Sequence, residues 1–369
     1  MNKNLPINSD KAFDVSIIVP CYNEGSNIKA MVQALNKALH GWRWEVIFVD
    51  DNSPDQSIEI IREIAKEDFR VRGLLRFDRR GLSSAVIEGV LASSAECIAV
   101  IDGDMQHDET RLPELLTAII KENYDFAVGS RHVEGGNNIG LANRWRHILS
   151  DSGIWLSQRF LPVTLSDPMS GFFAMRRKTF VELVPQLSGT GFKILLDLMM
   201  SSPKTIRLKE IPCDFRPRLN GESKLDFKVM IQFLIMLCEK LCHGYFPTRL
   251  LTSFFIIIAG IVVNLIIALI GQKLGCRFSI AQWIGAVGAI LGYFWLGSRF
   301  FYCAHKNKIK KTLRYNVFLL LCLVGSLANL WLGNLAFNAS YSWALASFIG
   351  SGFGMMWNNI IATQLVWRS

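Results

Sequence analysis

Four long apolar stretches in the last third of the chain constrain its fold more than any other feature. Each approaches or exceeds the roughly 20 apolar residues that a helix needs to cross a bilayer. Their ends carry Trp, Tyr and Phe, which concentrate at membrane interfaces. The stretches cover about residues 250–270, 280–300, 317–337 and 343–366. We therefore predict a domain of four transmembrane helices at residues 249–369.

Basic residues are concentrated in the loop between the second and third stretches, which contains Lys306, Lys308, Lys310, Lys311 and Arg314. The loop after the first stretch holds only Lys273 and Arg277, and the loop after the third holds none. Cytoplasmic loops carry an excess of Lys and Arg. The pattern predicts a multi-pass protein of the cell membrane (inner or plasma), with both termini in the cytoplasm.

The first 225 residues have a different pattern, in which short apolar runs alternate with helix-like segments. Helices are predicted at about 27–40 and 83–94, and another begins with Ser53 as N-cap and Pro54 as its first residue. Alternating strands and helices predict a mostly parallel sheet with helices on both faces. The predicted strands lie at about 15–19, 45–49, 71–75, 97–101 and 126–128.

Polar and acidic residues follow three of these strands, where open α/β sheets bind ligands. Asp102-Gly103-Asp104-Met105-Gln106 directly follows an apolar run, and two carboxylates there are costly unless something pairs with them. Carboxylate and amide oxygens suit Mg²⁺ or Mn²⁺, which can neutralise a nucleotide diphosphate leaving group. Asp50 and Asp51 could accept hydrogen bonds from a base or ribose. Tyr22 and Glu24 could stack on and bond to the same base.

Residues 226–242 form a predicted helix with a narrow polar stripe on a broad apolar surface. Such a helix suits the membrane interface, although a core helix of the soluble domain is the alternative. We favour the interface because the apolar stretches follow at once. The predicted organisation is therefore a domain at 1–225, an interface segment at 226–248 and a membrane domain at 249–369.

Composition excludes several other classes of protein. The formal net charge is +9, but no basic block interleaved with aromatic residues indicates a nucleic-acid partner. An anionic membrane surface and phosphate-bearing substrates account better for the charge. The eight cysteines form no CxxC pair and suit reduced apolar positions. Residues 1–14 lack the apolar segment of a signal peptide, so the first domain is expected to stay in the cytoplasm.

Seven motifs occur in order between residues 14 and 226. They are IVPCYNE (18–24), VDDNSPD (49–55), GLSSA (81–85), DGDMQH (102–107), GSR (129–131), DPMSGFF (167–173) and GESKL (221–225). This set resembles family 2 glycosyltransferases, and more narrowly the dolichol- or polyprenol-phosphate mannose synthases. The resemblance implies a GT-A-type fold. The apolar tail is similar, more weakly, to the GtrA-like membrane domain fused to some of these synthases.

The resemblance also implies roles for individual residues. The metal ligands are Asp104 and Gln106, and Asp104, Arg131 and Arg218 form the catalytic set. The remaining positions bind the nucleotide sugar: Pro20, Tyr22, Glu24, Val49, Asp51, Asp102, Gly103, Lys193 and Lys224, together with Asp104, Gln106, Arg131 and Arg218. We add Arg131 and Arg146 as ligands of the acceptor phosphate, choosing Arg146 over Arg144 from its spacing to the GSR motif.

The implied reaction is an inverting transfer of mannose from GDP-mannose to a polyprenyl phosphate, dolichyl or undecaprenyl. An ionised phosphate acceptor needs alignment rather than a general base, so Asp167 is left outside the catalytic set. The same reaction with UDP-glucose or another UDP-sugar is the nearest alternative. A processive polysaccharide synthase is disfavoured because Leu141 precedes Arg144-Trp145 where a Gln would be expected. A non-enzymatic translocase or scaffold would leave the DxD loop unexplained.

Overall fold

The computed structural model divides the chain into two compact units, Met1–Gly244 and Tyr245–Ser369, which are described separately. The prediction of domain limits at 225/226 and 248/249 stays a prediction. All structural statements below concern the residues that the structure describes. These are 13–77, 80–134, 157–159, 161, 163–189, 191, 193–203, 205–217, 227–241, 248–300 and 308–361.

A seven-stranded sheet in the order β3-β2-β1-β4-β6-β5-β7 forms the centre of the first unit. β1, β2, β3 and β4 pair in parallel, as do β5 and β7. β6 runs antiparallel between β4 and β5. The strands are β1 Val15–Cys21, β2 Trp44–Asp50, β3 Val71–Leu75, β4 Cys97–Val100, β5 Phe126–Ser130, β6 Phe173–Arg176 and β7 Leu208–Pro212.

Helices cover both faces of this sheet, so the predicted fold class is confirmed. α1, α2 and α4 pack on the face that contains Val15, Ile17 and Val19. α3, α5 and α6 pack on the other face with Ile18 and Ile47. Burial on both faces explains why the strands read as continuous apolar runs. The helices are α1 Gly25–Ala38, α2 Ser57–Glu67, α3 Leu82–Leu91, α4 Leu112–Ile120, α5 Arg177–Leu183 and α6 Ile194–Ser201.

The predicted start of α2 at Ser53 and Pro54 is wrong. The helix begins at Ser57, after Gln56 in a left-handed conformation with φ of 62°. Asp55 instead accepts hydrogen bonds from the Ser57 backbone N–H, at 3.2 Å, and from its hydroxyl. Ser53 has another role, because its hydroxyl bonds to Asp50 and accepts the Asn23 N–H at 3.0 Å. The polar loop after β2 is therefore longer than the capping pattern suggested.

Helix α7, Phe227–Leu241, is the helix predicted at 226–242. Ile235, Met236 and Leu237 are buried. Lys240 forms an ion pair of 2.7 Å with the fully buried Asp197 of α6 and donates a hydrogen bond to Ser201. One part of α7 is therefore fixed to the first unit, while its placement at a membrane interface stays a prediction.

The second unit contains four helices: α8 Thr248–Lys273, α9 Phe278–Phe300, α10 Lys308–Asn338 and α11 Trp343–Ile361. By length and composition, three segments of the described residues can cross a membrane: Leu250–Lys273, Phe278–Leu296 and Leu319–Asn338. The predicted count of four spans is thus not met. α11 is apolar at many positions but is interrupted by Ser347, Ser351 and other polar residues.

Polar side chains of this unit lie inside it, whereas many of its large apolar side chains are exposed. Gln282 of α9 donates a hydrogen bond to Asn329 of α10 at 2.6 Å and accepts one from Ser347 of α11 at 2.7 Å. All three residues are buried. Interhelical hydrogen bonds of this kind stabilise helix packing in lipid, so the polar residues of α11 face its neighbours.

Candidate active site

The loops after β1 and β2 lie against each other at the carboxyl edge of the sheet. Besides the bond between Asn23 and Ser53, the Gly25 N–H donates to Asp55 at 2.8 Å. Pro20 is paired with Val49 in the β1–β2 register. These contacts bring together the predicted nucleotide-binding positions of the first two strands, as expected for neighbouring parallel strands.

Asp51 is buried against a cation that sequence reasoning missed. Arg76 Nε donates to Asp51 Oδ1 at 2.7 Å, and the Gly81 N–H donates to Asp51 Oδ2 at 2.9 Å. Arg76 is itself buried and also bonds to Ser84 and Glu88. Burial raises the pKa of Asp51 despite these two donors. The ion pair therefore fixes this carboxylate at the point where β2 ends.

Two further predicted base contacts follow β1. Tyr22 is partly buried, and the Arg80 guanidinium lies 4.5 Å from the centre of its ring. Glu24 is buried and accepts a hydrogen bond from Asn27 at 2.9 Å. Both side chains thus already have local partners, which hold them at the end of β1.

The DxD loop turns sharply after β4. Met105 has φ of 61°, in the left-handed region, and the Gln106 N–H donates to Asp104 Oδ1 at 3.2 Å. Both Asp104 and Gln106 are buried. The Gln106 side-chain amide donates to the Arg216 carbonyl at 2.8 Å, while the Arg216 N–H donates to the Gln106 carbonyl at 2.7 Å. The segment after β7 therefore orients the Gln106 side chain.

This donor set fits a hard divalent cation, which prefers carboxylate and amide oxygens. Within the described part of the chain, no three or more His, Cys, Asp or Glu side chains are grouped to hold a metal. Any metal at Asp104 and Gln106 would accordingly take several ligands from substrate or water. Mg²⁺ binds in this way, through one or two carboxylates and phosphate oxygens.

Asp102 has two close neighbours, His107 and Gly171. His107 Nε2 lies 3.3 Å from Asp102 Oδ2, and the ring of His107 packs between Phe172, at 5.5 Å, and Phe215, at 5.3 Å. Gly171 also lies close, since a Cβ built on it would fall 2.7 Å from Asp102 Cγ.

Arg131 lies close to this acidic loop. Its Nε is 2.8 Å from Oδ2 of the buried Asp167, and its guanidinium lies 4.8 Å from the centre of the Phe215 ring. Burial lowers the pKa of the partly buried Lys193, and repulsion from Arg131 lowers it further, while Asp167 and Asp102 partly offset this. Two cations and two carboxylates thus share one region.

The structure brings together most, but not all, of the predicted site. Gly103 is buried with Pro20 O and Val19 close to its Cα. Arg146, Arg218 and Lys224 lie outside the described residues, as does Arg144. Sequence reasoning missed Arg76, Gly171, Phe215 and Arg216. Phe215 and Arg216 follow β7, which was not predicted, so only the nearby Arg-x-x-Gly-x-Ser-Lys pattern pointed towards them.

A mostly parallel sheet with an Asp-x-Asp loop and clustered cations at its carboxyl edge defines a GT-A-type glycosyltransferase. The family model described as "Glycosyl transferase family 2" matches residues 16–184, and a curated relative that is 35% identical matches 68% of the chain. The chain belongs to the family 2 glycosyltransferases and is a glycosyltransferase.

Two curated relatives carry the name dolichol-phosphate mannosyltransferase. The protein from Pyrococcus furiosus is 35% identical over 255 residues, which are 68% of this chain and 70% of the relative. That from Saccharomyces cerevisiae is 34% identical over 240 residues, 62% of this chain and 87% of the relative. The chain is also similar to a solved structure of glucosyl-3-phosphoglycerate synthase from Mycobacterium tuberculosis with Mn²⁺, UDP-glucose and phosphoglyceric acid. The identity is 17%, the TM-score 0.49, and the match covers 62% of this chain and 79% of the other.

Proposed function

We propose that this glycosyltransferase transfers mannose from GDP-mannose to a polyprenyl phosphate, with inversion at the anomeric carbon. The products are polyprenyl phosphate β-mannose and GDP. The observation that carries the proposal is the meeting of the Asp102–Asp104 loop with Arg131 and Lys193 at one edge of the sheet. The names of the relatives at 34–35% identity support mannose as the sugar and dolichol phosphate as the acceptor class.

A phosphate acceptor is consistent with the pairing of Asp167 with Arg131. Asp167 is paired with Arg131 at 2.8 Å, and such a pair stabilises the ionised carboxylate and orients the arginine. A lipid monophosphate is already ionised at pH 7, so its oxygen can attack the anomeric carbon without losing a proton to the protein. The residues near it need only to exclude water and align it.

The clustered cations would offset the repulsion between acceptor phosphate and donor diphosphate. Arg131 can bind phosphate oxygens bidentately, and Lys193 adds a compact second charge. Burial and repulsion from Arg131 lower the pKa of Lys193, because both disfavour its charged form. A bound phosphate would favour the ammonium form of Lys193, so phosphate binding and protonation of Lys193 would be coupled.

Asp104 and Gln106 are the residues that would hold Mg²⁺ or Mn²⁺. When bound, the metal supplies positive charge to the diphosphate as the bond to the sugar breaks. The hydrogen bond from Gln106 to the Arg216 carbonyl sets the direction of the amide, and the tight turn at Met105 places Asp104 next to it. We include Asp102 and Gly103 in the surface that receives the diphosphate, with Arg218 and Lys224 as further phosphate ligands.

The membrane unit suits a lipid acceptor. Three apolar helices are long and apolar enough to cross a bilayer, and the excess of basic residues at 306–314 supports a catalytic domain on the cytoplasmic side of a cell membrane. Confining enzyme and lipid to one surface raises the effective concentration of the acceptor. The soluble nucleotide sugar would reach the same site from the cytoplasm.

Transfer by the purified full-length protein tests this proposal. The protein is incubated with undecaprenyl or dolichyl phosphate and Mg²⁺ or Mn²⁺, with radiolabelled GDP-mannose or UDP-glucose offered separately. Lipid-linked mannose from GDP-mannose is the expected product. Lipid-linked glucose from UDP-glucose alone would refute the assignment of the donor, and no product from either donor would refute the reaction.

An Asp104→Ala variant tests the metal site in the same assay. Loss of the carboxylate is expected to reduce transfer by about 100-fold or more, since metal stabilisation of the leaving group is worth several kcal/mol. Glu63→Ala is the matched control because Glu63 is an exposed carboxylate on α2. Retained transfer by Asp104→Ala would contradict the assignment of the metal ligands.

A further inference from the structure

Gly171 makes an unusually close approach to Asp102. A Cβ atom built on Gly171 would lie 2.7 Å from Asp102 Cγ and 2.8 Å from Oδ1, and Oδ2 would be closer still. Real Cβ atoms do not come within 3.0 Å of such atoms. The three nearest atoms all belong to the carboxylate, so a side chain at position 171 would have to displace this group.

Backbone conformation does not explain the glycine. The φ angle of Gly171 lies outside the positive region that L-residues avoid, so alanine could adopt the same backbone geometry. Space is the only requirement that the structure places on this position. This separates Gly171 from Gly81, whose φ of 146° calls for a glycine in its own right.

The loop that carries Gly171 is firmly held. The Ser170 hydroxyl donates to the Gly129 carbonyl at 2.8 Å and accepts the Phe172 N–H at 3.1 Å. The Ser170 N–H donates to the Asp167 carbonyl at 3.2 Å. Asp167 in turn pairs with Arg131. One short loop therefore contacts a carboxylate of the DxD motif at one end and a phosphate-binding arginine at the other.

We propose that Gly171 is a positioning residue that sets the place of the Asp102 carboxylate relative to the metal loop and Arg131. His107 lies 3.3 Å from this carboxylate, and the lack of a Cβ at Gly171 leaves the space that the carboxylate occupies. Moving Asp102 would alter the charge balance around Lys193 and Arg131 and the surface that receives the diphosphate. The inference rests on the proposed function for the identity of the ligands.

A double-mutant cycle on the full-length protein tests the proposal. The variants are Gly171→Ala, Asp102→Ala and the two combined, since Asp102→Ala removes the three atoms that a Cβ at position 171 would meet. Gly352→Ala is the control for an added methyl group because a Cβ there meets nothing within 4 Å. Two quantities are measured: the melting temperature without ligand, and the affinity for GDP in the presence of Mn²⁺.

In the native background, Gly171→Ala is expected to lower the melting temperature and to weaken Mn²⁺–GDP binding about tenfold, as loss of a supporting group does at metal sites. In the Asp102→Ala background, Gly171→Ala is expected to weaken Mn²⁺–GDP binding less than about twofold. The reason is that the coupling between the two contacting residues disappears. Equal losses in both backgrounds, or no loss in the native background, would overturn the proposal.

The experiment distinguishes failure of the positioning role from failure of the proposed function. If the wild-type protein transfers no mannose but the melting temperatures show coupling between positions 171 and 102, the contact stands and the substrate assignment falls. If mannose is transferred and the effects of the two substitutions simply add, only the positioning role is refuted. If melting temperatures couple but Mn²⁺–GDP affinity is unchanged, Gly171 serves only packing and the positioning role is overturned.

Discussion

Replacement of Arg76 by Met is expected to destabilise the first unit strongly, because it removes the cation of a buried ion pair. The Arg76 side chain is only 1% exposed and that of Asp51 only 9%. Nε lies 2.7 Å from Asp51, and the guanidinium also bonds to Ser84 at 2.9 Å and to the Gly81 carbonyl at 3.1 Å. Methionine would fill a similar volume but make none of these bonds.

The expected loss of stability follows from leaving the Asp51 carboxylate buried without its cation. Breaking a buried ion pair by removing one partner costs about 3–5 kcal/mol, and each kcal/mol lowers the melting temperature by about 2–4 °C in a domain of this size. A fall of about 6–20 °C is therefore expected for Arg76→Met. Since burial already raises the pKa of Asp51, the loss of Arg76 raises it further.

Stability of the variant should consequently depend on pH in a defined direction. A carboxyl group whose pKa is higher in the folded state binds its proton more tightly there than in the unfolded state. Lowering the pH neutralises Asp51 and removes the unpaired charge. The difference in melting temperature between Arg76→Met and the native protein is thus expected to be largest near pH 8 and to shrink as the pH falls.

Thermal unfolding of the full-length protein in detergent, followed by intrinsic fluorescence at one scan rate, measures these differences. Lys66→Met is the control, since the Lys66–Glu63 pair is exposed and contributes at most about 0.5 kcal/mol. Adding Asp51→Asn to Arg76→Met should recover part of the loss. A loss below about 1 kcal/mol, or an equal loss at every pH, would refute the reasoning.

Three further outcomes are expected. Lys193→Arg should move the alkaline decline of kcat/KM for the lipid phosphate to higher pH, because the lowered pKa of Lys193 removes its charge early and arginine stays charged; an unmoved decline would contradict this. Phe215→Leu should raise the acceptor KM about fivefold by removing the cation–π contact with Arg131, whereas Phe215→Tyr should recover most of the loss; equal KM values for the two variants would argue against this contact. A chain without residues 250–369 should still bind nucleotide, measured by calorimetry, and loss of binding would contradict the proposed division of the chain.

The parallel half of the fold could be predicted from sequence with good accuracy. β1 to β5 were placed within two residues of their observed ends, because strands buried on both faces give continuous apolar runs. β6 was missed, since Phe173–Arg176 is short and its pairing with β4 and β5 is antiparallel. β7 was missed as well, because Leu208–Pro212 mixes charged and apolar residues and only Ile211 is buried.

The helices of the membrane unit were also predicted unequally well from the sequence. The long apolar runs of α8, α9 and α10 carry an unmistakable signal in their length. α11 was expected to be a fourth span, but its Ser and Asn residues reduce its hydropathy. Ser347 bonds to Gln282 across the helix interface, and only the packed structure shows that such residues face other helices.

The sequence by itself determined the class of protein. Ordered motifs at the ends of apolar strands, followed by long apolar helices, were enough to indicate a family 2 glycosyltransferase attached to a membrane. These signals are local, since a strand, a turn and a spanning helix each depend on neighbouring residues. Asp102 to Gln106 could be recognised as a candidate metal loop for this reason.

Only the tertiary structure decided which groups hold that loop in place. Arg76 lies 25 residues from Asp51, Arg216 lies 110 residues from Gln106, and Gly171 reaches Asp102 from a different loop. Gly171 belongs to the DPMSGFF motif and Arg216 lies close to another, but a motif does not show which side chains of distant loops it meets. Burial of the charges makes their placement energetically decisive, and burial is a property of the fold as a whole.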